Sequence, residues 1–253
     1  MQVDINSDIG EGMGDDDAML NVATSVNVAC GFHAGDSDTM RSVAAQARKR
    51  GVSIGAHPSY RDLAGFGRTP MPGLSAHEIE NIVACQTDAL RAIASLVGHK
   101  VTHVKAHGAL SNAACSDAMI ANAIAAAIRA VDPGLAFMVL PHTELARAAD
   151  RAGLKPIHEI YADRAYQDDA QLLPRSQTGA VLHDKDEIAQ RTLRMVKEQS
   201  IVTASGKTIP TPVESICVHG DTPGAVEIAK AVRAMLEQNG VTISPFASRA
   251  PGQ

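Results

Sequence analysis

The sequence predicts an α/β protein folded as one irregular, seven-stranded (β/α) barrel, a single domain over residues 1–253. Three observations predict it. Short apolar runs alternate along the chain with amphipathic helical patterns, the order expected of βα units around a parallel sheet. The 253 residues, 45% hydrophobic and 20% charged, suit one such barrel, and no composition break or linker divides them. Polar and titratable side chains recur at the C-terminal end of one run after another, and in a barrel all those ends share one rim.

The elements follow in order. Val3-Asp4-Ile5-Asn6 alternates as a strand and runs into the glycine-rich Ser7-Asp8-Ile9-Gly10-Glu11-Gly12-Met13-Gly14. An apolar run over 26–30 breaks at Gly31 and places His33 and Asp36 ahead of a helix. Asp36 is that helix's N-cap, Met40, Val43, Ala44 and Ala47 its buried stripe, and Gly51 its end. A third strand over 52–56 ends in His57, followed by a loop of about fifteen residues, longer than a plain connection needs. Ser75-Ala-His-Glu78 is a capping box for a long helix with Ile79, Ile82, Val83, Leu90, Ile93 and Val97 inward. The fourth strand, 101–105, runs into His107, and a helix over 116–131 carries Met119, Ile120, Ile124 and Ile128. Strands follow over 135–140 and 157–161, the second holding Glu159 and ending in Asp163-Arg164. Asp184 caps a further helix, and 201–209 reads as a hairpin turning at Ser205-Gly206. A strand over 215–218 ends in His219-Gly220-Asp221; Pro223 suits a first helical position, and a strand over 241–243 closes the chain. The hairpin and the loose rhythm over 165–215 predict a barrel short of eight regular units.

Net charge of −5 without a block of like charge argues against nucleic acid or an anionic membrane as partner. The start lacks the pattern of a signal peptide, and no apolar run approaches the roughly 18 residues of a membrane span. Four scattered cysteines without a CxxC pair fit reduced thiols and a cytoplasmic location, Cys30 and Cys217 reading as core. Of the seven aromatics, Phe32, Tyr60, Phe66, Tyr161 and Tyr166 fall in polar, glycine-rich stretches, which points to a pocket wall.

The residues at the strand ends are Asp4, Asn6, Asp8 and Glu11, then His33 and Asp36, His57, Lys105 and His107, Asp163 and Arg164, and His219 and Asp221. Convergence of so many titratable groups on one rim predicts an active site there. Two chemistries stay open on the residues alone. Asp and His side chains could hold a divalent metal and activate water, although no local ligand motif is present. Alternatively, carboxylates could run metal-free acid/base hydrolysis while Lys105 or Arg164 stabilises developing negative charge. Ser205-Gly-Lys-Thr208 looks like the tail of a phosphate-binding loop, but Ile201 stands where its leading glycine belongs and the segment is a hairpin.

Blocks along the chain resemble the LamB/YcsF family. They are Asp4-Ile-Asn-Ser-Asp-Ile-Gly-Glu-Gly, Asn27-Val-Ala-Cys-Gly-Phe-His-Ala-Gly-Asp, Gly55-Ala-His-Pro-Ser-Tyr, Gly65-Phe-Gly-Arg, His103-Val-Lys-Ala-His-Gly-Ala-Leu, Ala162-Asp-Arg-Ala-Tyr, Leu173-Pro-Arg and Cys217-Val-His-Gly-Asp-Thr-Pro. Ala106 and Ser111 depart from the family's usual proline and tyrosine, and Ala170 from a usual glycine, while Lys105, His107 and Asn112 remain. The resemblance implies a glycoside hydrolase/deacetylase-like barrel that is one component of bacterial 5-oxoprolinase. With 5-oxoprolinase subunits B and C, and ATP used through the complex, it opens the lactam 5-oxo-L-proline (pyroglutamate) to L-glutamate. It implies Asp8 or Glu11 as general base, His33 and His57 passing protons, and Lys105 and Arg164 holding phosphate or carboxylate. His107 joins the catalytic set, and Asn6, Asp36, Asn112, Asp163, His219 and Asp221 contact substrate. The alternatives are a metal-dependent amide or acetyl hydrolase and a non-catalytic lactam-binding or scaffolding subunit.

Overall fold

The computed structural model describes residues 1–220 and 224–248. Its sheet contains β1 (Gln2–Ile9), β2 (Ser25–Ala29), β3 (Ser53–His57), β4 (Val101–Val104), β5 (Ala136–Val139) and β6 (Pro156–Tyr161), paired in that order and all parallel. After a small antiparallel hairpin, β7 (Ser200–Val202) and β8 (Thr208–Pro210), the strand β9 (Ser215–Cys217) closes the ring. It pairs with β6 through Glu159↔Ser215, Ile160↔Ile216 and Tyr161↔Cys217, and with β1 through Asp4↔Ser215, Ile5↔Ile216 and Asn6↔Cys217. Seven staves therefore form a closed parallel barrel, and closure leaves no stave with an unpaired edge. The last strand, β10 (Thr242–Ile243), is not a stave: it pairs only with Gln2 and Val3 at the start of β1.

Helices pack around the staves. In α2 (Ser37–Arg50) Asp36 caps the N-terminus through the Thr39 amide, Met40, Val43, Ala44 and Ala47 are buried, and Gly51 ends it at φ 69°. In α3 (Ala76–Leu96) both halves of the Ser75–Glu78 capping box form. α6 (Glu144–Ala152), α7 (Lys185–Glu198) and α8 (Ala225–Gln238) cover the later staves, and a single turn, α1 (Asp16–Met19), follows β1. A short helix, α4 (Gly108–Ser116), precedes the helix expected over 116–131, which forms as α5 (Ala118–Val131); the two are bent by 118° at Asp117. Asp117 ends the first and caps the second through the amides of Met119 and Ile120, so Met119 sits in an exposed first turn and not on the buried stripe. No single helix among the described residues is long and apolar enough to cross a membrane. Pro223, expected at the first turn of α8, lies outside the described residues.

The first strand is longer than its sequence pattern suggests. Pairing with β2 continues from Asn6↔Ser25 to Ile9↔Val28, so Asp8 stands on a stave and not in the following loop. Alternation along β1 sends Asp4, Asn6 and Asp8 into the lumen while Val3, Ile5 and Ile9 join the apolar layer under the helices. The same alternation brings Asn27, His103, Glu159 and Ser215 inward from β2, β4, β6 and β9, all buried. Gly55 on β3 makes room for one of them: a Cβ built there would lie 2.3 Å from the His103 ring. We therefore expect Gly55→Ala to cost about 1–3 kcal/mol of overpacking. In a chain of this size that is a fall in Tm of roughly 2–4 °C per kcal/mol, measurable by thermal unfolding.

Candidate active site

The lumen of this barrel is a polar network stacked in layers. At its floor the Asp4 carboxylate accepts hydrogen bonds from the hydroxyls of Thr24 and Ser25, each at 2.7 Å, and from Ser215. Above it the Asn6 amide donates to Glu159 Oε1 (2.9 Å) and Ser215 Oγ (2.8 Å), and its oxygen accepts from Asn27 Nδ2 (2.8 Å). Above that the Lys105 ammonium lies 3.1 Å from Asp8 Oδ1, 2.8 Å from Glu159 Oε1 and 3.1 Å from Cys217 Sγ. Burial works against the charge on Lys105, but Asp8, with Cys217 and Glu159 behind it, outweighs burial and holds the ammonium well above the ordinary lysine range. Burial likewise opposes the Asp8 carboxylate, and the charges of His57 and Lys105 overcome it, so Asp8 stays ionised far below its usual range.

Beside Asp8, at the rim, stand three histidines from three successive strand ends. His57 donates from Nδ1 to the Lys105 carbonyl (2.7 Å), and its Nε2 lies 3.0 Å from His107 Nδ1 and 3.5 Å from Asp8 Oδ2. The other nitrogen of His107 donates to the Phe66 carbonyl at 2.9 Å, so its Nδ1 is the acceptor in the contact with His57. His57 is then a donor at both nitrogens, an imidazolium. Burial alone would discharge it; Asp8, and after it Glu11, raise its pKa above the ordinary value. The neighbouring rings behave oppositely: burial and the charge of His57 push His33 down to about 3 and His107 to about 2. His33 is held by Ser59 Oγ at 2.9 Å and lies 3.0 Å from Glu11 Oε1.

Glu11, His33, His57 and His107 bring one donor atom each within 4.8 Å of one another, and nitrogen-rich sets of this kind suit a zinc-type ion. The ring geometry decides how well they fit. His33 and His107 are stacked at 3.9 Å with only 9° between their planes. Lone pairs lie in the ring plane, so two parallel rings cannot both aim at one ion. These residues could hold a divalent metal only after one ring turns; as arranged they form a hydrogen-bonded chain. A second group, Asp8, Cys217 and His219, already surrounds a cation, since Lys105 Nζ contacts two of its members.

The rim opens into a cavity of about 440 Å³ lined by Asp8, Glu11, His57, Lys105, His107, Asn112, Tyr161, Arg164 and His219 among others. On the wall facing the histidines, His219 stacks on Tyr161 (ring centroids 5.1 Å) and directs Nδ1 at the buried Asp163 carboxylate, 2.9 Å away. That bond leaves Nε2 as the nitrogen free to serve the cavity. Arg164 is 6% exposed, and its guanidinium is held by two carbonyls, Ala180 at 3.1 Å and Leu173 at 2.6 Å. No carboxylate among the described residues pairs with it. Burial, and then the charge of Arg175, lowers its pKa from the ordinary arginine value.

Most residues singled out from the sequence thus meet at one mouth, with exceptions. Asn6 is buried in the lumen, a layer below the cavity, and His33 and Asp163 are buried against Glu11 and His219 without lining it. Asp36 is exposed and spent on capping α2; it does not line the cavity. Asp221 lies outside the described residues. Of the aromatics expected in a pocket wall only Tyr161 is among the residues lining it; Tyr60 and Tyr166 are buried in the core. Cys217 is buried in the core as expected and is also a partner of Lys105. Asn27, His103 and Glu159 join the network without standing at strand ends. Their signal in the sequence is a polar residue at every second position of runs that otherwise read as buried strands.

A closed parallel barrel whose titratable groups converge on a cavity at the carboxyl rim defines a (β/α)-barrel protein with a candidate small-molecule site. The chain belongs to the LamB/YcsF family, whose model matches residues 3–250. It is 58% identical to the 5-oxoprolinase A-subunit of Rhodopseudomonas palustris over 98% of this chain and all of that one. It is 50% identical to the protein of the same name from Mycolicibacterium gilvum, over 96% of this chain and 98% of that one. Among solved structures, a lactam utilization protein from Thermus thermophilus superposes with a TM-score of 0.91 at 41% identity, covering 97% of this chain and all of the other. A putative cellobiose-phosphate cleavage protein from Enterococcus faecalis shares the fold alone, with a TM-score of 0.57 at 14% identity over 98% of each chain.

The network predicts its own response to mutation. Lys105→Met leaves two buried carboxylates facing each other without a cation, and the expected loss is about 3–5 kcal/mol. It would be read as a lower urea midpoint. Adding Glu159→Gln should recover part of that loss; a double variant no more stable than the single one would show that the two groups are not coupled.

Proposed function

We propose that this chain is the ring-opening component of an ATP-dependent 5-oxoprolinase, acting with subunits B and C on the phosphorylated lactam of 5-oxo-L-proline. The observation that carries the reading is the end-to-end match to proteins named as the A-subunit of 5-oxoprolinase. The need for ATP is chemical. An unstrained lactam resists hydrolysis, and phosphorylation of its carbonyl oxygen makes the ring carbon electrophilic. ATP dependence also argues for a cytoplasmic location.

The residues around the cavity suit such a step. Water attacks the ring carbonyl carbon and loses a proton to Asp8, which is ionised at neutral pH and presents Oδ2 towards the cavity side of the lumen network. The tetrahedral intermediate returns to lactam if its carbon–oxygen bond to water breaks. It opens the ring if the carbon–nitrogen bond breaks, and for that the nitrogen must gain a proton. His219, oriented by Asp163, is placed to give it. The product of that step is an acyl phosphate and a free amine, and a second water yields glutamate and inorganic phosphate. Arg164, a buried cation whose guanidinium donates to the carbonyls of Ala180 and Leu173, holds an anionic group of the substrate. Lys105 is not available for that task, being already shared by Asp8 and Glu159.

In the assembled enzyme, glutamate formation from 5-oxo-L-proline and ATP should fall about 10²–10⁴-fold in Asp8→Asn, the usual contribution of one positioned base. Retention of full activity by that variant would reject Asp8 as the base. Arg164→Gln should raise KM by about 10–100-fold, the loss expected for a charge-assisted contact of roughly 1.5–3 kcal/mol. An unchanged KM would place the anion elsewhere.

A further inference from the structure

The lumen network contains a pair that touches neither cavity nor solvent and yet ends on the reactive carboxylate. Asp8 Oδ1 accepts from Lys105 Nζ at 3.1 Å and from Asn27 Nδ2 at 2.8 Å. The same Asn27 amide nitrogen spends its other hydrogen on Asn6 Oδ1 at 2.8 Å, so both of its hydrogens are committed. The orientation of that amide is set from behind. His103 Nε2 lies 2.8 Å from Asn27 Oδ1, and turning the amide over would set an N–H against an N–H and its oxygen against carboxylate and carbonyl oxygens.

His103 itself has one arrangement available. Its Nδ1 faces the Thr102 hydroxyl at 2.9 Å, its ring meets Phe246 edge-on at 5.0 Å, and its far side occupies the space that Gly55 leaves empty. It is fully buried, and burial pushes its pKa down to about 3, so the ring is neutral with its one hydrogen at Nε2. The result is a rigid chain from the barrel wall to one oxygen of Asp8. With Oδ1 held by two donors, Oδ2 is the oxygen left to face His57 and the cavity.

We propose that Asn27 and His103 are positioning residues for Asp8, fixing which carboxylate oxygen is presented to the reacting centre. The kinetic part of this inference rests on the reading of Asp8 as the base; the structural part does not. A carboxylate free to rotate would offer either oxygen and would shift by about an ångström, an error of the size that costs about 100-fold in rate.

The test uses the full chain assembled with its partner subunits. His103→Phe keeps the ring and its contact with Phe246 but removes the N–H, and His103→Gln restores a donor. The expected result is a fall in kcat of about 100-fold in His103→Phe with KM unchanged, and recovery of most of the rate in His103→Gln. Asn27→Leu should repeat the His103→Phe result. Crystal structures of the same variants supply a readout independent of substrate: the Asp8 carboxylate should be rotated in His103→Phe and native-like in His103→Gln. An Asp8 carboxylate unmoved in His103→Phe, or a His103→Gln variant as slow as His103→Phe, would overturn the proposal. If the wild-type complex does not turn over 5-oxo-L-proline, the functional reading fails, and the carboxylate position still decides this one. Should His103→Phe fail to fold, Asn27→Ser, which shortens the side chain out of reach of Asp8, carries the same expectations.

Discussion

One buried charge organises this protein. The Lys105 ammonium sits in the barrel lumen between Asp8 and Glu159, with the Cys217 sulfur as a third neighbour. A lone ammonium or carboxylate in such a place would cost many kcal/mol or lose its charge. Here Lys105 and Asp8 overcome burial and keep their charges, each helped by the other. These residues come from β1, β6, β9 and the end of β4, so the arrangement exists only once the ring of staves has closed. The stability of the lumen and the ionised state of Asp8 are one property of this network.

Most of the remaining polar interior continues that logic. Hydroxyls and amides below Lys105 satisfy each buried oxygen in turn, down to Asp4 at the floor. Above it, His57 extends positive charge to the rim, and burial, with the charge of His57 added, keeps His33 and His107 neutral. A buried polar network of this kind is stabilising only when every member is satisfied, which makes the lumen intolerant of change. The opposite wall works by contrast. Arg164 is as buried as the members of the network, but its guanidinium donates to the carbonyls of Ala180 and Leu173 and forms no ion pair among the described residues.

Much of this was legible from residues in order. Asp36 and Gly51 bound α2, the Ser75–Glu78 box starts α3, and Ser205-Gly206 turns the β7–β8 hairpin, because caps and turns are local bargains between a side chain and backbone a few residues away. Local patterns misled where tertiary pairing decided. The glycine-rich look of residues 7–14 hid the last residues of the β1 stave, whose partner is a strand nearly twenty residues on. The unbroken alanine-rich pattern after Asp117 hid the 118° bend before it.

What the sequence by itself determined was the alternation of strand and helix, the presence of titratable groups at the strand ends and, through its motif blocks, the family. Those depend on residue type and short spacing. Only the tertiary structure decided which groups share a charge and which stand apart. It joined Lys105 to Asp8 and Glu159, spent Asp36 on a helix cap, turned His219 to Asp163 and drew Asn27 and His103 into the site. The physical reason is that side-chain charge and hydrogen bonding depend on distances of about 3 Å across the barrel. Partners there lie from 19 to 211 residues apart, and no spacing along the chain encodes those distances.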